Sequence, residues 1–328
     1  MTQNNIEPAR PRVLYLARGT EQLYEAVRGY APDSIELITL ESDDPQEVFA
    51  ALPHCEAVIV ATRKLDRAMI AAATGLRLVV HQGVGYHDTM DVAALRERRI
   101  PVAVTPNGTP QTVSEHAVML MLAACRLLPF ADSELRQGRF HVNALRLQSQ
   151  TLAGKTVGFI GMGRIGQATA RRLLGWEMSA IYVDPVPLEL AEATHLNLSR
   201  VSLPELLERS DIVSLHVPLT EDTRALINAS SLERMKRGAV LVNTARGPVV
   251  EQAALIAALR SGHLGAAGLD VYEEEPVRAD HPLTEFKNVV LTPHIGAATR
   301  DTFTAKMQGV FANISRFYVG TPLCDQVL

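Results

Sequence analysis

The sequence predicts an α/β protein made of two doubly wound parallel-sheet modules, and three observations carry that expectation. Short, continuously apolar, β-branched runs alternate with segments whose apolar residues fall three and four apart. The alternation starts afresh after residue 150. The 328 residues also suffice, at roughly 150 per domain, for two cores. Strands apolar on both faces and separated by helices belong to a parallel sheet covered on both sides.

In the first module the strand-like runs are RVLYL at 12–16, SIELITL at 34–40, AVIVA at 57–61, LRLVVH at 76–81 and PVAV at 101–104. Helical periodicity fills 20–29, 65–74 and 91–98. The second module shows TVGFI at 156–160, AIYVD at 180–184, DIVSLH at 211–216, GAVLVN at 238–243, LGAAGLD at 264–270 and NVVLTP at 288–293. Between them Thr112 to Leu128 reads as one long helix rich in Ala, Met and Leu, followed by a polar stretch to Gln150. Its weak amphipathicity fits either a homodimer interface or an ordinary core helix. Arg300 to Tyr318 is helical again and is expected to return to the first module, which would make that domain discontinuous.

Composition narrows the class. With 32 basic and 36 acidic residues, a net charge of −4 and 47% hydrophobic residues, the chain fits no disordered, collagen-like or disulfide-scaffold class. No basic block offers a footprint for nucleic acid or an anionic membrane, so neither partner is expected. Cys55, Cys125 and Cys324 lack metal-ligand spacing, and no metal is expected. The start, MTQNNIEPAR, has no apolar leader core and no 18-residue apolar run follows; the expected location is cytoplasmic.

The strand at 156–160 runs directly into Gly161-Met-Gly163-Arg-Ile-Gly166 and a helix expected over Gln167–Leu174. In a dinucleotide site the first glycine permits the tight turn, the second lets backbone approach pyrophosphate, and the third lets helix pack on strand. Asp184 ends the next strand, eighteen residues beyond Gly166, where a carboxylate accepts the ribose hydroxyls of NAD and repels the 2′-phosphate of NADP. The expected cofactor is NAD.

Ligands of open α/β sheets bind beyond the carboxyl ends of the strands. Three residues fall there: Arg246 after GAVLVNTA, Glu275 five residues past Asp270, and His294 after NVVLTP. A guanidinium holds a carboxylate bidentately, and a carboxylate beside an imidazole favours its charged form. Singly, each is what a surface or structural residue looks like. Together, at the strand ends of a dinucleotide fold, they are the parts needed to reduce a 2-keto acid.

VGFIGMGRIGQ, HVPLTEDTRALI, LVNTARGPVV, GLDVYEEEP and LTPHIGAAT resemble, in order, the signatures of the D-isomer-specific 2-hydroxyacid dehydrogenase family over residues 157–299, with weaker likeness in GVGYHDTMD and TPNGTPQTVSEH. The resemblance implies a Rossmann-type NAD domain, residues 105–298, inserted into a flavodoxin-like substrate domain, residues 1–104 plus 299–328. It implies a homodimer with its arm at about 112–128 and a small 2-hydroxy or 2-keto acid substrate. Arg246 would bind the substrate carboxylate and carbonyl, His294 would exchange the proton, and Glu275, the residue before Pro276, would orient and charge His294. Arg164 and Ile165 would meet the pyrophosphate and Asp184 the adenosine ribose. Thr244, Ala245, Asp270 and Gly296 would lie toward the cofactor, and the N–H groups of Val84 and Gly85 would hold the substrate carboxylate.

The chain departs from the family at the loop Tyr86-His87-Asp88-Thr89-Met90-Asp91, one residue longer than usual, where His87 is either a substrate contact or an exposed loop residue. Phosphoglycerate dehydrogenases usually place an arginine where Ala61-Thr62 stand here, with Arg63 and Lys64 as nearby substitutes, and many carry a C-terminal extension that is not expected in this chain. Corepressor-like relatives keep the fold and the three residues yet act by sensing NAD(H) and binding partners, which is the competing functional expectation.

Overall fold

The computed structural model describes residues 10–328; the first nine, including most of the start read above as leaderless, lie outside the described residues. The chain divides into two compact units, one formed by the described residues up to Thr109 with Arg300–Leu328, the other by Pro110–Thr299.

The first unit has five parallel strands, β1 Arg12–Leu16, β2 Glu36–Ile38, β3 Ala57–Val60, β4 Leu78–His81 and β5 Val102–Val104, in the order β2-β1-β3-β4-β5. That is the flavodoxin-like order. Val58 and Val60 of β3 point into one apolar cluster with Leu14, Leu16 and Val79; Ala57 and Ile59 point into the other with Val13, Tyr15 and Val80. Each face is therefore covered, as continuous apolar strands require. The helix Arg300–Tyr318 has the ends expected from its periodicity and closes the second face with Met307, Val310, Phe311 and Ile314. Asp66 and Asp91 accept from Met69 N and Ala94 N and so fix the starts of Arg67–Ala72 and Val92–Glu97.

The second unit has seven parallel strands: β6 Thr156–Ile160, β7 Ser179–Val183, β8 Leu198–Arg200, β9 Ile212–Leu215, β10 Ala239–Asn243, β11 Leu264–Leu269 and β12 Val289–Leu291. Their order, β12-β11-β10-β9-β6-β7-β8, places the switch point between β6 and β9, the position where open α/β sheets bind ligands beyond the carboxyl ends of their strands. The sheet is one strand larger than six apolar runs suggested. β8 has three residues, one buried and two exposed, on an edge, so it carries no apolar run to read.

The long helix is also corrected. It runs Thr109–Cys125 and stops because Leu127 takes a left-handed backbone with φ 50°; a second helix, Leu128–Arg136, follows where a polar stretch was expected. The first of these packs tightly on β11, since a Cβ on Gly268 would lie 2.9 Å from Leu120 Cβ. The glycine helix starts earlier than expected, at Arg164, and ends at Arg172. Among the described residues no single helix is long and apolar enough to cross a membrane, and no group of three or more His, Cys, Asp or Glu could hold a metal ion.

Candidate active site

β6 ends at Ile160, and Gly161 turns the chain with φ 95°. A Cβ there would sit 2.6 Å from His216 O, and one on Gly166 would sit 2.3 Å from Gly161 O, so both positions admit only glycine. Gly163 differs: a Cβ there would meet nothing within 4 Å, and as N-cap of Arg164–Arg172 it places no side chain over the helix's first N–H groups. Open amides at a helix N-terminus suit a phosphate. Arg164 is exposed there and Ile165 half-buried.

Asp184 follows β7 directly. Its Oδ2 accepts from Met162 N at 2.6 Å and its Oδ1 from Val186 N at 2.8 Å, which ties the carboxylate to the glycine turn. After β10, Asn243 is buried, accepts from Ala245 N at 3.0 Å and donates to Arg246 O at 2.9 Å. Between them the Thr244 hydroxyl is buried without a hydrogen-bond partner. A buried orphan hydroxyl is costly unless a ligand meets it. The open turn at Gly163, the fixed Asp184 and the orphan Thr244 together fit a dinucleotide laid along these strand ends.

Arg246 donates from Nη1 to Ala245 O at 2.8 Å. Its loop is pressed onto the next one: a Cβ on Gly247 would lie 1.9 Å from the Tyr272 carbonyl carbon. Tyr272 in turn donates its hydroxyl to Leu269 O and Thr292 O at 3.1 and 3.0 Å, and its N–H to Glu275 Oε1 at 3.0 Å. Glu275 Oε2 stands 2.7 Å from His294 Nδ1. Burial pushes the Glu275 carboxyl up, but hydrogen bonds from His294 and Tyr272 N, with the charges of His294 and Arg246, outweigh it and leave it below its ordinary value. It is therefore an ionised partner for the imidazole.

His294 itself adopts a left-handed backbone, φ 54°, a conformation that costs an ordinary residue about 1–3 kcal/mol. The turn is held by Asp270. His294 N donates to Asp270 O at 2.8 Å, Ile295 N to Oδ1 at 2.9 Å and Gly296 N to Oδ2 at 2.8 Å. Thr292 Oγ1 adds a bond to Oδ1 at 2.6 Å. Asp270 is 2% exposed. Burial raises its carboxyl, yet these bonds and one from His116 bring it below the ordinary range.

Arg246, Glu275 and His294 thus stand on adjoining loops of one unit, with Gly161, Gly163, Arg164, Ile165, Gly166, Asp184, Thr244, Ala245, Asp270 and Gly296 in that same unit. Val84 and Gly85 belong to the other. They follow β4 in a turn where Gly83, φ 146°, donates its N–H to Thr105 Oγ1 at 3.1 Å. Beyond them the exposed His87 stacks on Tyr86 at 4.1 Å between ring centroids. Asn243, Gly247, Tyr272, Thr292 and His116 were not singled out from sequence. Each nevertheless lies inside a motif already quoted.

A glycine turn at the switch point and an imidazole–carboxylate pair beside an arginine define an NAD-dependent oxidoreductase as the class. Comparison with known proteins narrows it. The family model described as "D-isomer specific 2-hydroxyacid dehydrogenase, NAD binding domain" matches residues 118–296. The chain is 42% identical over 276 residues to a glyoxylate reductase of Korarchaeum cryptofilum, covering 83% of this chain and 82% of that protein. It is 39% identical over 279 residues to a D-3-phosphoglycerate dehydrogenase of Archaeoglobus fulgidus, 84% of this chain, and spans about half of that relative, 52%. The solved TT0316 protein from Thermus thermophilus matches with a TM-score of 0.85 at 34% identity, over 97% of this chain and 100% of that one. The chain belongs to the D-isomer specific 2-hydroxyacid dehydrogenase family, whose members act on hydroxy and keto acids with NAD as cofactor.

Proposed function

We propose that the enzyme reduces a small, unphosphorylated 2-keto acid of the glyoxylate or hydroxypyruvate kind, with His294 as the acid. The observation that carries this is the 2.7 Å contact of His294 Nδ1 with an ionised Glu275, on loops clamped beside Arg246. When bound, NADH would supply a hydride to C2 of the substrate. Thr244 and the amides at Gly163 would hold the dinucleotide, and Asp184 its ribose. Arg246 binds the substrate carboxylate and draws charge from the carbonyl. Nε2 of the His294 imidazolium gives its proton to the carbonyl oxygen, and Glu275 keeps Nδ1–H oriented and the ring charged until that moment. Asp270 fixes the turn on which His294 stands.

The absence of phosphate from the substrate rests on Arg63. Its Nη2 is bound to Asp43 O at 2.8 Å, so one of the two cations beside the position where phosphoglycerate dehydrogenases place theirs is engaged within the protein. The names of the glyoxylate and hydroxypyruvate reductases among the relatives support the same substrate class. We further infer a homodimer acting in the cytoplasm, where the free thiols of Cys55 and Cys125 stay reduced. The support for the dimer is a run of exposed apolar side chains, Leu128, Leu135, Phe140, Val142 and Leu147, on and after the second helix of this region.

NADH oxidation followed with glyoxylate, hydroxypyruvate, pyruvate, phenylpyruvate and phosphohydroxypyruvate tests the reading. Turnover is expected with the first two, and Arg246→Ala is expected to lower kcat/KM by about 10- to 100-fold, the loss of a charged hydrogen-bond pair, with NADH affinity unchanged. Turnover with none of the five would favour an NAD(H)-sensing protein instead.

A further inference from the structure

We propose that His116, on the helix Thr109–Cys125, is a positioning residue for His294, acting through Thr292 and Asp270. The inference rests on the reading of His294 as the reacting acid and extends it to a residue remote in sequence.

The geometry is a closed set of donors around one carboxylate. His116 Nε2 lies 2.9 Å from Thr292 Oγ1 and 3.3 Å from Asp270 Oδ1. Thr292 Oγ1 is 2.6 Å from the same Oδ1, and because an ionised carboxylate only accepts, the hydroxyl proton points to Asp270. The hydroxyl oxygen then offers a lone pair toward His116, and Nε2 must carry the proton. The imidazole therefore donates into both the hydroxyl and the carboxylate. His116 is nearly buried, its side chain 11% exposed, and its Cδ2 lies 3.6 Å from where a Cβ on Gly296 would stand. The ring covers the last residue of the turn that carries His294.

What this set holds is the backbone of the reacting group. Asp270 Oδ1 and Oδ2 bind Ile295 N and Gly296 N, Asp270 O binds His294 N, and His294 sits in the left-handed region. A backbone kept in a sparsely populated conformation returns to a commoner one when its restraints loosen. Without the proton from His116, Oδ1 keeps Thr292 and Ile295 N but loses its third donor, and Thr292, no longer held by the imidazole, is free to turn its hydroxyl toward Leu269 O, 3.5 Å away. The expected consequence is a His294 that still exists in the site but points less well at Glu275 and at the substrate carbonyl. That is a defect in the chemical step, with substrate and cofactor binding spared.

His116→Phe keeps the ring's shape and removes the donor; His116→Gln restores an N–H near the position of Nε2. For His116→Phe, kcat is expected to fall about tenfold or more, with the KM of the keto acid and the NADH dissociation constant within twofold of wild type. His116→Gln is expected to recover most of kcat. The second readout is independent of turnover: the NMR titration of the His294 imidazole, assigned by the signal lost in His294→Gln, should move to lower pH in His116→Phe and stay in place in His116→Gln. Wild-type kcat and an unmoved His294 titration in both variants, with only a lower Tm, would overturn the proposal. Equal loss in Phe and Gln variants would do the same. Should His116→Phe fail to fold, Thr292→Val removes the relay from its other end and is expected to show the same split. If the wild-type chain turns over no keto acid, the functional reading fails by itself, and the NMR comparison still decides whether His116 positions His294.

Discussion

Glu275 and His294 stand on loops after neighbouring strands and meet at 2.7 Å, with Glu275 Oε1 pinned from behind by Tyr272 N at 3.0 Å. The carboxylate can neither rotate away nor take the proton without losing a bond. In reduction the imidazolium is the active form, so the rate is expected to be high below the ring's titration point and to fall above it. Glu275→Gln keeps the size and removes the charge. The alkaline limb of the kcat profile should then move to lower pH, because the ring loses the neighbouring charge that favours its protonated form. An unmoved limb would count against the pairing.

The ends of Asp184 define a second test. Both oxygens are held, by Met162 N and Val186 N, and Arg200 Nη2 donates to Asp184 O at 2.8 Å. A fixed negative charge at this strand end disfavours a 2′-phosphate. The protein is expected to prefer NADH to NADPH, and Asp184→Asn, which keeps one acceptor for Met162 N, should shift the ratio of kcat/KM values toward NADPH by roughly tenfold, the worth of one like-charge repulsion near a protein surface. A wild-type preference for NADPH would contradict the assignment.

How much of this could be read from residues alone depends on where the signal sits. β1, β6 and the helix Arg300–Tyr318 appear with the ends their periodicity predicts, because the two strands are apolar after their first residue and the helix carries Phe303, Met307, Val310, Phe311 and Ile314 three and four apart. β8 and the helix Pro45–Ala51 did not announce themselves; three- and seven-residue elements with one buried residue each offer too little pattern. Arg246, Glu275 and His294 were legible since a strand end predicts what lies beside a ligand. His116 was not, because its partners Asp270 and Thr292 come from strands far along the chain and nothing on its own helix marks a polar contact. Pairing across a fold is a property of packing, not of spacing.

The exposed apolar run after Cys125 bears on assembly. Leu135, Phe140 and Leu147 are 58%, 78% and 97% exposed, an arrangement that a single chain in water does not favour. Light scattering after gel filtration is expected to give twice the chain mass. Leu135→Lys combined with Phe140→Lys should shift the protein toward the monomer, since a charge buried at an interface costs several kcal/mol unless paired. A wild-type monomer at micromolar concentration would leave these side chains unexplained and the dimer rejected.

Lys306 supplies a test of stability with a definite sign. It lies on the helix Arg300–Tyr318 beside Met307 and is 8% exposed, and burial, with no compensating charge, pushes its ammonium down to about 8. Its folded value is therefore below its unfolded one, the reverse of a lysine that gains a partner. Below pH 8 the ammonium is charged in both states, and the folded chain bears the whole desolvation cost. Between pH 8 and the ordinary lysine value the unfolded chain holds a proton that the folded chain has released, so stability from this group rises with pH; above that range the cost is gone. Lys306→Met, similar in length and apolar, should raise the free energy of unfolding at pH 7 by about 3 kcal/mol, the size of such a shift at 1.36 kcal/mol per unit. The gain should shrink to a small remainder when wild type and variant are compared by urea denaturation near pH 10. A variant less stable than wild type at pH 7 would mean that the ammonium is satisfied by a partner inside the fold, and burial would no longer account for its behaviour.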